Sequence, residues 1–498
     1  MIYICKNNKE MKSVKMFLAC LLFPWLGMAQ QPVASSKLET YPAPQGVELK
    51  NDFAVRVRIP GGEWKAVDTY AVKVDRVADA RHNVEKASLA SFDFSGEVEV
   101  EVKSLQGAIE EARVRPLSYG IMPQRTDSTL TFRLDRPRNL SVEVNGDIFH
   151  NLHLFANPME TQRPKLQKKA LYQPGRAVGR LLYFAPGLHQ IEGDSLEIPS
   201  GTTVYLAGGA VVRGRLMVSN AADVVIRGRG IIHPEGRGEG VYIKNSRRIR
   251  VEGIVTTQCP IGGSDSVSVS NVKVISSYGW GDGLNAFASN HIRYEDVFCR
   301  NSDDCTTVYA TRKGFRGGCR DITMRRAVLW ADVAHPIMIG LHGDPEANEV
   351  MEELTYEDID ILDHSEMQLD YQGCIAVNVG DNNLVRKVRF ENIRIEDFRR
   401  GQLFNLRIFY NKKYCAAPGR GIEEILFKNI SYNGQGEELS MLIGYNEERK
   451  VKNIRFENLR INGQLISDDM PGKPKWYKTG DMARIFIGEH VEGVTFAE

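Results

Sequence analysis

Residues 388–393 read Val388-Arg389-Phe390-Glu391-Asn392-Ile393: apolar and polar residues alternate, a polar pair follows, and an apolar residue closes the unit. The same unit recurs along the later part of the chain. Further copies begin at Ile249, Val267, Ile292, Ile322, Leu354, Ile425 and Ile454, and looser copies begin at Val204 and Val224. Successive copies start about 18 to 37 residues apart. A fixed unit separated by variable insertions is typical of a solenoid.

Each copy has the period-two alternation of a short β-strand, and no helical stripe lies between copies. We therefore predict an all-β fold, a right-handed parallel β-helix with one coil per repeat. The polar pair, as in Glu391-Asn392, fits a bend between two strands, and an asparagine there can form a ladder with the asparagine of the next coil. The alternative is a β-sandwich whose strands are similar by coincidence, but the recurrence of the same sequence unit favours the solenoid.

A different pattern fills residues 30–164. Short alternating runs at 53–59, 96–102 and 130–134 predict half-buried antiparallel strands. Several such strands separated by turns indicate a small β-sandwich, and no catalytic constellation is visible among them. We predict two domains after the N-terminus, the sandwich at 30–164 and the β-helix at 165–498.

The N-terminus has the pattern of a signal peptide over residues 1–29. Lys12 and Lys15 precede the apolar run 16–26, and Gly27-Met28-Ala29 supplies small residues for cleavage after Ala29. The alternatives are a buried N-terminal strand or a lipoprotein cut before Cys20. The run is too short to span a bilayer. We expect a protein that is secreted or periplasmic, with no membrane span.

Composition excludes few function classes. The net charge of the 498 residues is +1, which gives no electrostatic case for nucleic acid, although an acidic polymer can still meet a local basic cleft. The six cysteines after residue 29 form no CxxC pair and show no metal-ligand spacing. Export permits disulfides, but we expect most of these cysteines to be small core residues. We expect a monomer without cofactor or metal.

Three aspartates stand out in the central repeats. Asp282 lies in Trp280-Gly281-Asp282-Gly283, and Asp303 and Asp304 lie in Asn301-Ser302-Asp303-Asp304-Cys305. Asp282 precedes Asp303 by about one coil, and coils stack at ~4.8 Å, so these side chains should share one face of the solenoid. A bulge or strand end would put both Asp303 and Asp304 outside the core.

Crowded carboxylates repel each other, so at least one pKa should rise, as a general acid at neutral pH requires. The alternative interpretations are solvated aspartates in turns, or a calcium site. Oxygen ligands suit Ca²⁺, but the chain has no glycine-punctuated calcium loop.

At these residues the chain resembles the polygalacturonases of glycoside hydrolase family 28 and the related dextranases of family 49. The resemblance covers residues 183–459. Asp303-Asp304-Cys305 matches the Asp-Asp-Cys of the family, and the segment from His335 to Gly340 is similar to its His-Gly segment. The resemblance implies a pectin-lyase-like β-helix with three aspartates in a cleft, and hydrolysis that inverts the anomeric centre.

By resemblance, Asp303 is the general acid, and Asp282 and Asp304 hold and deprotonate the water. His335 tunes the acid or binds the sugar, and His342 is a second candidate in a less suitable register. The further residues that we expect to contact the polysaccharide or oligosaccharide substrate are Arg312, Arg407 and Trp280.

The sequence departs from the polygalacturonases at their Arg-Ile-Lys segment, which binds the sugar carboxylate. The corresponding strand here, 374–379, carries no cation, and Arg407-Ile408-Phe409 lies a coil later without the lysine. We therefore predict weak or no cleavage of unmodified polygalacturonate. The leading hypothesis is an inverting hydrolase of a pectic or related glycan. The alternatives are a dextranase-like hydrolase of a neutral α-glucan, a polysaccharide lyase, and a non-catalytic carbohydrate-binding β-helix.

Overall fold

A computed structural model describes residues 36–78, 81–166, 168–173, 180–234, 236, 238–277 and 279–498. Residues 36–498 form one compact unit, so the predicted domain boundary at 164 stays a prediction. The predicted signal peptide lies outside the described residues. Within them, no helix has both the length and the apolar character needed to cross a membrane.

The N-terminal part contains two sheets that face each other, as the sequence predicted. One consists of Lys37–Thr40, Tyr70–Ala78, Arg81–Ser95, Ala112–Arg115, Arg138–Val144 and Asp147–Pro158. The other consists of Phe53–Arg58, Lys65–Val67, Val98–Ser104, Gln124–Arg125 and Thr129–Leu134. Apolar side chains of both sheets share one core, for example Phe92 and Val100. Short 3₁₀ helices lie at Leu117–Tyr119 and Lys168–Ala170.

The rest of the described chain forms a sheet of 28 strands, all parallel except the hairpin strand Gln464–Ile466. It winds into the predicted right-handed β-helix, whose strands stack in three rows. Row one contains Leu181–Phe184, Thr203–Leu206, Ala222–Gly228, Arg247–Glu252, Asp265–Ser270, Asn290–Glu295, the first parts of Cys319–Ala331, Val350–Asp363, Leu384–Glu396, Gly421–Asn433 and Val451–Ile461, and then Val491–Ala497.

Row two contains the first parts of Gly187–Glu197 and Ala210–Ser219, then Ile231–Ile232, Val255–Thr256, Lys273–Ile275, Phe298–Asn301 and the second parts of the five long row-one strands. Row three contains the second parts of Gly187–Glu197 and Ala210–Ser219, then Val241–Lys244, Ile261–Gly262, Leu284–Phe287, Thr306–Tyr309, Ile337–Gly340, Ile375–Val379, Phe404–Ile408, Ser440–Ile443 and Ile485–Ile487. Outside the rows lie Gly401–Gln402, Glu437–Glu438 and the α-helix Thr479–Met482.

The apolar anchors of the repeat point inward, as predicted, and join one continuous core. The aromatic anchors of the later coils form a column of stacked rings with centroids 4.8 to 5.4 Å apart: Tyr356, Phe390, Phe427, Phe456 and Phe496. Offset stacking at this separation is favourable for aromatic pairs. The six cysteines of the described chain are buried and unpaired, in agreement with core positions.

The polar pair of the repeat forms the bend between rows one and two. Its second residue adopts the left-handed conformation, with φ of 54° at Asn392, 55° at Asn429 and 52° at Asn458. Asparagine tolerates this conformation better than most residues. The amide of Asn429 donates to Asn392 at 2.8 Å, and that of Asn458 donates to Asn429 at 2.9 Å. The predicted asparagine ladder is therefore confirmed.

The N-terminal sheets pack against row two through a buried polar contact. Arg300 is the penultimate residue of the strand Phe298–Asn301 and is fully buried. Its guanidinium donates to Asp332 at 3.0 Å and to Asn151, in the N-terminal strand Asp147–Pro158, at 2.8 Å. It also lies 4.0 Å from the centroid of the Trp330 ring. This junction directly precedes the segment that carries Asp303 and Asp304.

Candidate active site

The stacking of row three brings the predicted aspartates together. Asp282 lies two residues before Leu284, and Asp304 lies two residues before Thr306, which is the register partner of Leu284. The peptide N–H of Gly283 donates to the Asp304 carbonyl at 2.9 Å, which fixes the two coils side by side. Asp282 and Asp304 therefore occupy equivalent positions on neighbouring coils, whereas the repeat predicts Asp303, one residue earlier, as the partner of Asp282.

The Asp303-Asp304 pair lies at a strand end, between Phe298–Asn301 and Thr306–Tyr309. Because the backbone is not extended there, both side chains face the outside of the solenoid. Together with Asp282 they line a cleft of 730 Å³. Its walls also include Trp280, Phe287, Tyr309, Arg312, Lys313, His342, Glu366, Gln368, Tyr371, Lys413 and Tyr414.

The Asp304 carboxyl group contacts His335, which follows it by one coil. The His335 peptide N–H donates to Asp304 Oδ1 at 3.1 Å, and its Nδ1 lies 2.6 Å from the same oxygen. Its Nε2 contacts the carbonyl oxygen of Tyr371. Both ring nitrogens face acceptor atoms, an arrangement that favours the imidazolium form. Burial opposes this charge, but the Asp304 carboxylate raises the pKa of His335 overall.

The other two carboxyl groups have raised pKa values. Burial, with the nearby charges of Asp282 and Asp304, raises the pKa of Asp303 well above its usual range. Burial and the Asp304 charge raise the pKa of Asp282 to about 7, although the Asn285 amide donates to it at 2.6 Å. The predicted rise in pKa is thus present at Asp303 and Asp282.

Three of the predicted substrate-binding residues lie on the cleft. Trp280 is at the rim with 79% of its surface exposed. Arg312 is exposed on the wall near Asp282. His342 is buried with its ring edge-on to Tyr309, 4.9 Å between centroids. Burial lowers the pKa of His342 to about 3, so its imidazole is neutral.

The other two predicted residues lie away from the open cleft. His335 has no exposed surface and reaches Asp304 from behind, so its contact is with the carboxylate and not with the open space. Arg407 lies on row three, three coils beyond Tyr309, where its guanidinium donates to the Asp370 carbonyl at 2.8 Å. Within the described residues, no group of three or more histidine, cysteine, aspartate or glutamate side chains is arranged to hold a metal ion.

The N-terminal sheets contribute a wall that the sequence did not reveal. Arg81 and His82, on the strand Arg81–Ser95, line the cleft. The buried Asp75 accepts a hydrogen bond from His82 Nδ1 at 2.6 Å and one from the Gly279 N–H, next to Trp280, at 3.4 Å. No local pattern marks these residues, because the cleft that they line consists mostly of residues some 200 or more positions later in the chain.

Tyr371 and Glu366 were also missed by sequence reasoning. Tyr371 packs edge-on against His335, 4.5 Å between ring centroids, and Glu366 is buried at the cleft wall. Both lie in the long connection between Val350–Asp363 and Ile375–Val379. The unusual length of that repeat was the available signal, since long loops beside a regular scaffold often carry functional side chains.

Comparison with solved structures places this architecture among known β-helices. Dex49A from Penicillium minioluteum is similar with a TM-score of 0.65 at 13% identity, covering 92% of this chain and 96% of that chain. A family 28 exopolygalacturonase from Yersinia enterocolitica gives a TM-score of 0.46 at 10% identity, covering 80% of this chain and 96% of that chain. An endo-xylogalacturonan hydrolase from Aspergillus tubingensis gives 0.37 at 12% identity, covering 55% and 85%.

No protein-family model matches the chain, and the search of curated proteins found no match. The similarity of this chain to known proteins is therefore found in its fold. The chain has the same parallel β-helix fold as Dex49A from Penicillium minioluteum, over nearly the whole of its described length.

Proposed function

We propose that this protein is an inverting glycoside hydrolase that cleaves a polysaccharide. The observation that carries the proposal is the set of three aspartates that line one cleft. Burial and neighbouring negative charge raise the pKa of Asp303 well above its usual range, so it can hold a proton. Asp282, whose pKa is raised to about 7, can take one up, and Asp304 accepts hydrogen bonds from the His335 peptide N–H and from the Tyr309 hydroxyl at 3.0 Å. One acid and one base on a shared cleft are what inverting hydrolysis requires.

In the proposed reaction, Asp303 gives its proton to the glycosidic oxygen as the bond from that oxygen to C1 breaks. A water attacks C1 from the opposite side of the sugar ring, and its oxygen forms the new bond. Asp282 takes the proton of the water, since its pKa of about 7 makes it the stronger base. Asp304 has its charge stabilised by two donors, so it orients the water and holds negative charge beside C1.

The substrate class has two candidates, a pectic or related glycan and a neutral α-glucan. The strand Ile375–Val379, which corresponds to the segment where a polygalacturonase carries its cations, has no charged side chain, and its Ala376 and Asn378 have no exposed surface. The strand therefore forms no carboxylate clamp, which favours a neutral sugar. Arg312 and Lys313, near Asp282, favour some acidic content in the polymer. We propose a secreted or periplasmic monomer.

The direct test is to incubate the protein with dextran, pectin, polygalacturonate and xyloglucan. We expect reducing ends from at least one polymer, with weak release from unmodified polygalacturonate, and NMR should show the inverted anomer first. Product with ultraviolet absorbance from a new double bond would indicate the lyase alternative. Binding without any release of reducing ends would indicate the non-catalytic alternative.

The pH dependence of kcat/KM should follow the two raised pKa values. Activity needs Asp282 ionised, so the rate should fall about tenfold per pH unit below about 7, where Asp282 gains a proton. Activity also needs Asp303 protonated, so a second fall is expected as pH rises through the raised pKa of Asp303. Initial rates between pH 4 and 10 check this. A rate that keeps rising as pH falls below 6 would contradict the assignment of Asp282 as base.

A further inference from the structure

The outer faces of the three rows differ in character. In the central coils, row two is covered by the N-terminal sheets through an apolar cluster that includes Phe155 and Phe298. Row one carries charged pairs between neighbouring coils: Arg248 with Asp223, Arg293 with Asp321, and Arg320 with Glu353. On row three, neighbouring loops cover the middle coils through an apolar cluster that includes Met338, Tyr371 and Phe409, and exposed aromatic side chains appear on the last coils, where a ligand can approach.

The exposed large hydrophobic side chains of the described β-helix are confined to row three and its flanking loops. They are Trp280, Met367, Leu369, Tyr410, Leu439, Tyr445, Trp476, Tyr477 and Phe486, between 39% and 84% exposed. Single exposed apolar residues are ordinary on a protein surface. Their restriction to one side is not ordinary, because exposed residues that were randomly distributed would also lie on row one.

The loop that follows Phe404–Ile408 connects this side to the cleft of the three aspartates, because it carries Tyr410 and also Lys413 and Tyr414, which line the cleft. Row three leads from Thr306–Tyr309 through four further strands to Ile485–Ile487. At ~4.8 Å per coil this is a path of about 24 Å. Tyr410 and Tyr445 follow two successive row-three strands, with ring centroids 6.3 Å apart, and Phe486 lies on the last strand.

The chemistry of the path fits a glycan chain. Aromatic rings offer an apolar face and, in tyrosine, a hydroxyl, which suits a sugar ring with one apolar face and a rim of hydroxyl groups. The aromatic side chains follow successive coils of the path, and Arg407 lies on the row-three strand just before Tyr410. A protein partner would more often meet a compact apolar patch. The alignment with the aspartates argues that the same chain occupies both.

We propose that Tyr410, Tyr445 and Phe486 form a distal subsite that binds the polysaccharide several sugar residues beyond the bond being cleaved. The protein therefore acts on long chains in preference to short oligosaccharides. The part of this inference that concerns chain length rests on the proposed hydrolase function. The binding of polysaccharide along row three does not depend on catalysis.

The test combines Tyr410→Ala with Tyr445→Ala, and uses the pair Tyr410→Phe and Tyr445→Phe as the conservative control. The alanine pair should lower kcat/KM on the cleaved polymer by roughly tenfold and leave a short oligosaccharide of the same sugar unaffected. The phenylalanine pair keeps the rings and should stay close to wild type. Leu105→Ala, 51% exposed on the N-terminal part, should change neither substrate. Equal losses on long and short substrates, or no loss on the polymer, would overturn the distal subsite.

A second measurement separates this inference from the proposed reaction. Native gels containing dextran, pectin, polygalacturonate or xyloglucan should retard the wild-type protein in at least one case. The alanine pair should lose that retardation even if no polymer is cleaved. Retardation that persists in the alanine pair, or no retardation of the wild type in any of the four gels, would count against the subsite.

Discussion

Asp303→Asn should reduce kcat on a natural polysaccharide by about 10² to 10⁴ and leave the fold intact. The amide is nearly the size of the carboxyl group, so packing at the strand end should survive. It cannot supply the proton that Asp303, with its raised pKa, holds for the leaving oxygen. The loss should appear in kcat more than in KM, because the proton is needed only as the bond breaks. Initial rates measure the loss of kcat, and circular dichroism shows whether the fold is intact.

The leaving group provides the sharpest control for this role. An aryl glycoside with a good leaving group needs little acid assistance, so Asp303→Asn should be partly rescued on it. Asp282→Asn should not be rescued, because the water still lacks its base. Asp223→Asn, on the surface of row one, should behave as wild type on every substrate. If Asp303→Asn kept more than about a tenth of wild-type turnover on the polysaccharide, Asp303 would not be the acid.

Asp332→Ala should lower the free energy of unfolding by about 3 to 5 kcal/mol. It leaves the guanidinium of Arg300 buried beside Trp330 without its carboxylate partner. The loss of stability arises because a buried charge is left without a partner, and not because the ion pair itself contributes that much free energy. Replacing both partners, as Arg300→Met with Asp332→Leu, should therefore recover most of the loss. Urea unfolding of the single and double variants measures this difference.

An exposed pair serves as the reference for that result. Arg293 donates to Asp321 on the next coil at 2.6 Å, but both side chains are more than 30% exposed. Arg293→Ala should cost at most about 1 kcal/mol, because water already solvates both charges. If Asp332→Ala were as mild as Arg293→Ala, water would reach Arg300 and the junction between the N-terminal sheets and row two would be wet.

The fold was predictable because each coil of a solenoid repeats the same short sequence pattern. Val388, Phe390 and Ile393 specify an inward face, and Asn392 specifies the bend that follows. Every copy of the unit repeats this pattern, so the prediction of the fold does not depend on any single copy. The position of Asp303 and Asp304 at a strand end was also predictable, since an unpaired carboxylate in the core would be costly.

The surroundings of the aspartates were less predictable. His335 contacts Asp304 because insertions of particular lengths bring two turns into register, and no periodic signal encodes that length. His82 reaches the cleft from the N-terminal sheets, across a separation in sequence that only tertiary structure closes. Sequence reasoning therefore identified the candidate acid and base and, by resemblance, His335, but not His82, Tyr371 or Glu366 on the walls of the cleft.

The bend between rows one and two has a consequence for how such a protein can change. A single left-handed residue, such as Asn429, completes that bend, so an added residue there would move every following anchor to the wrong face. The connections into and out of row three carry no such limit, and the differing lengths of the repeats arise there. In each coil, the bend between rows one and two therefore has a fixed length, whereas the connections into and out of row three tolerate insertions. New substrate preferences can evolve, or be engineered, by lengthening the row-three loops while the solenoid that supports them stays unaltered.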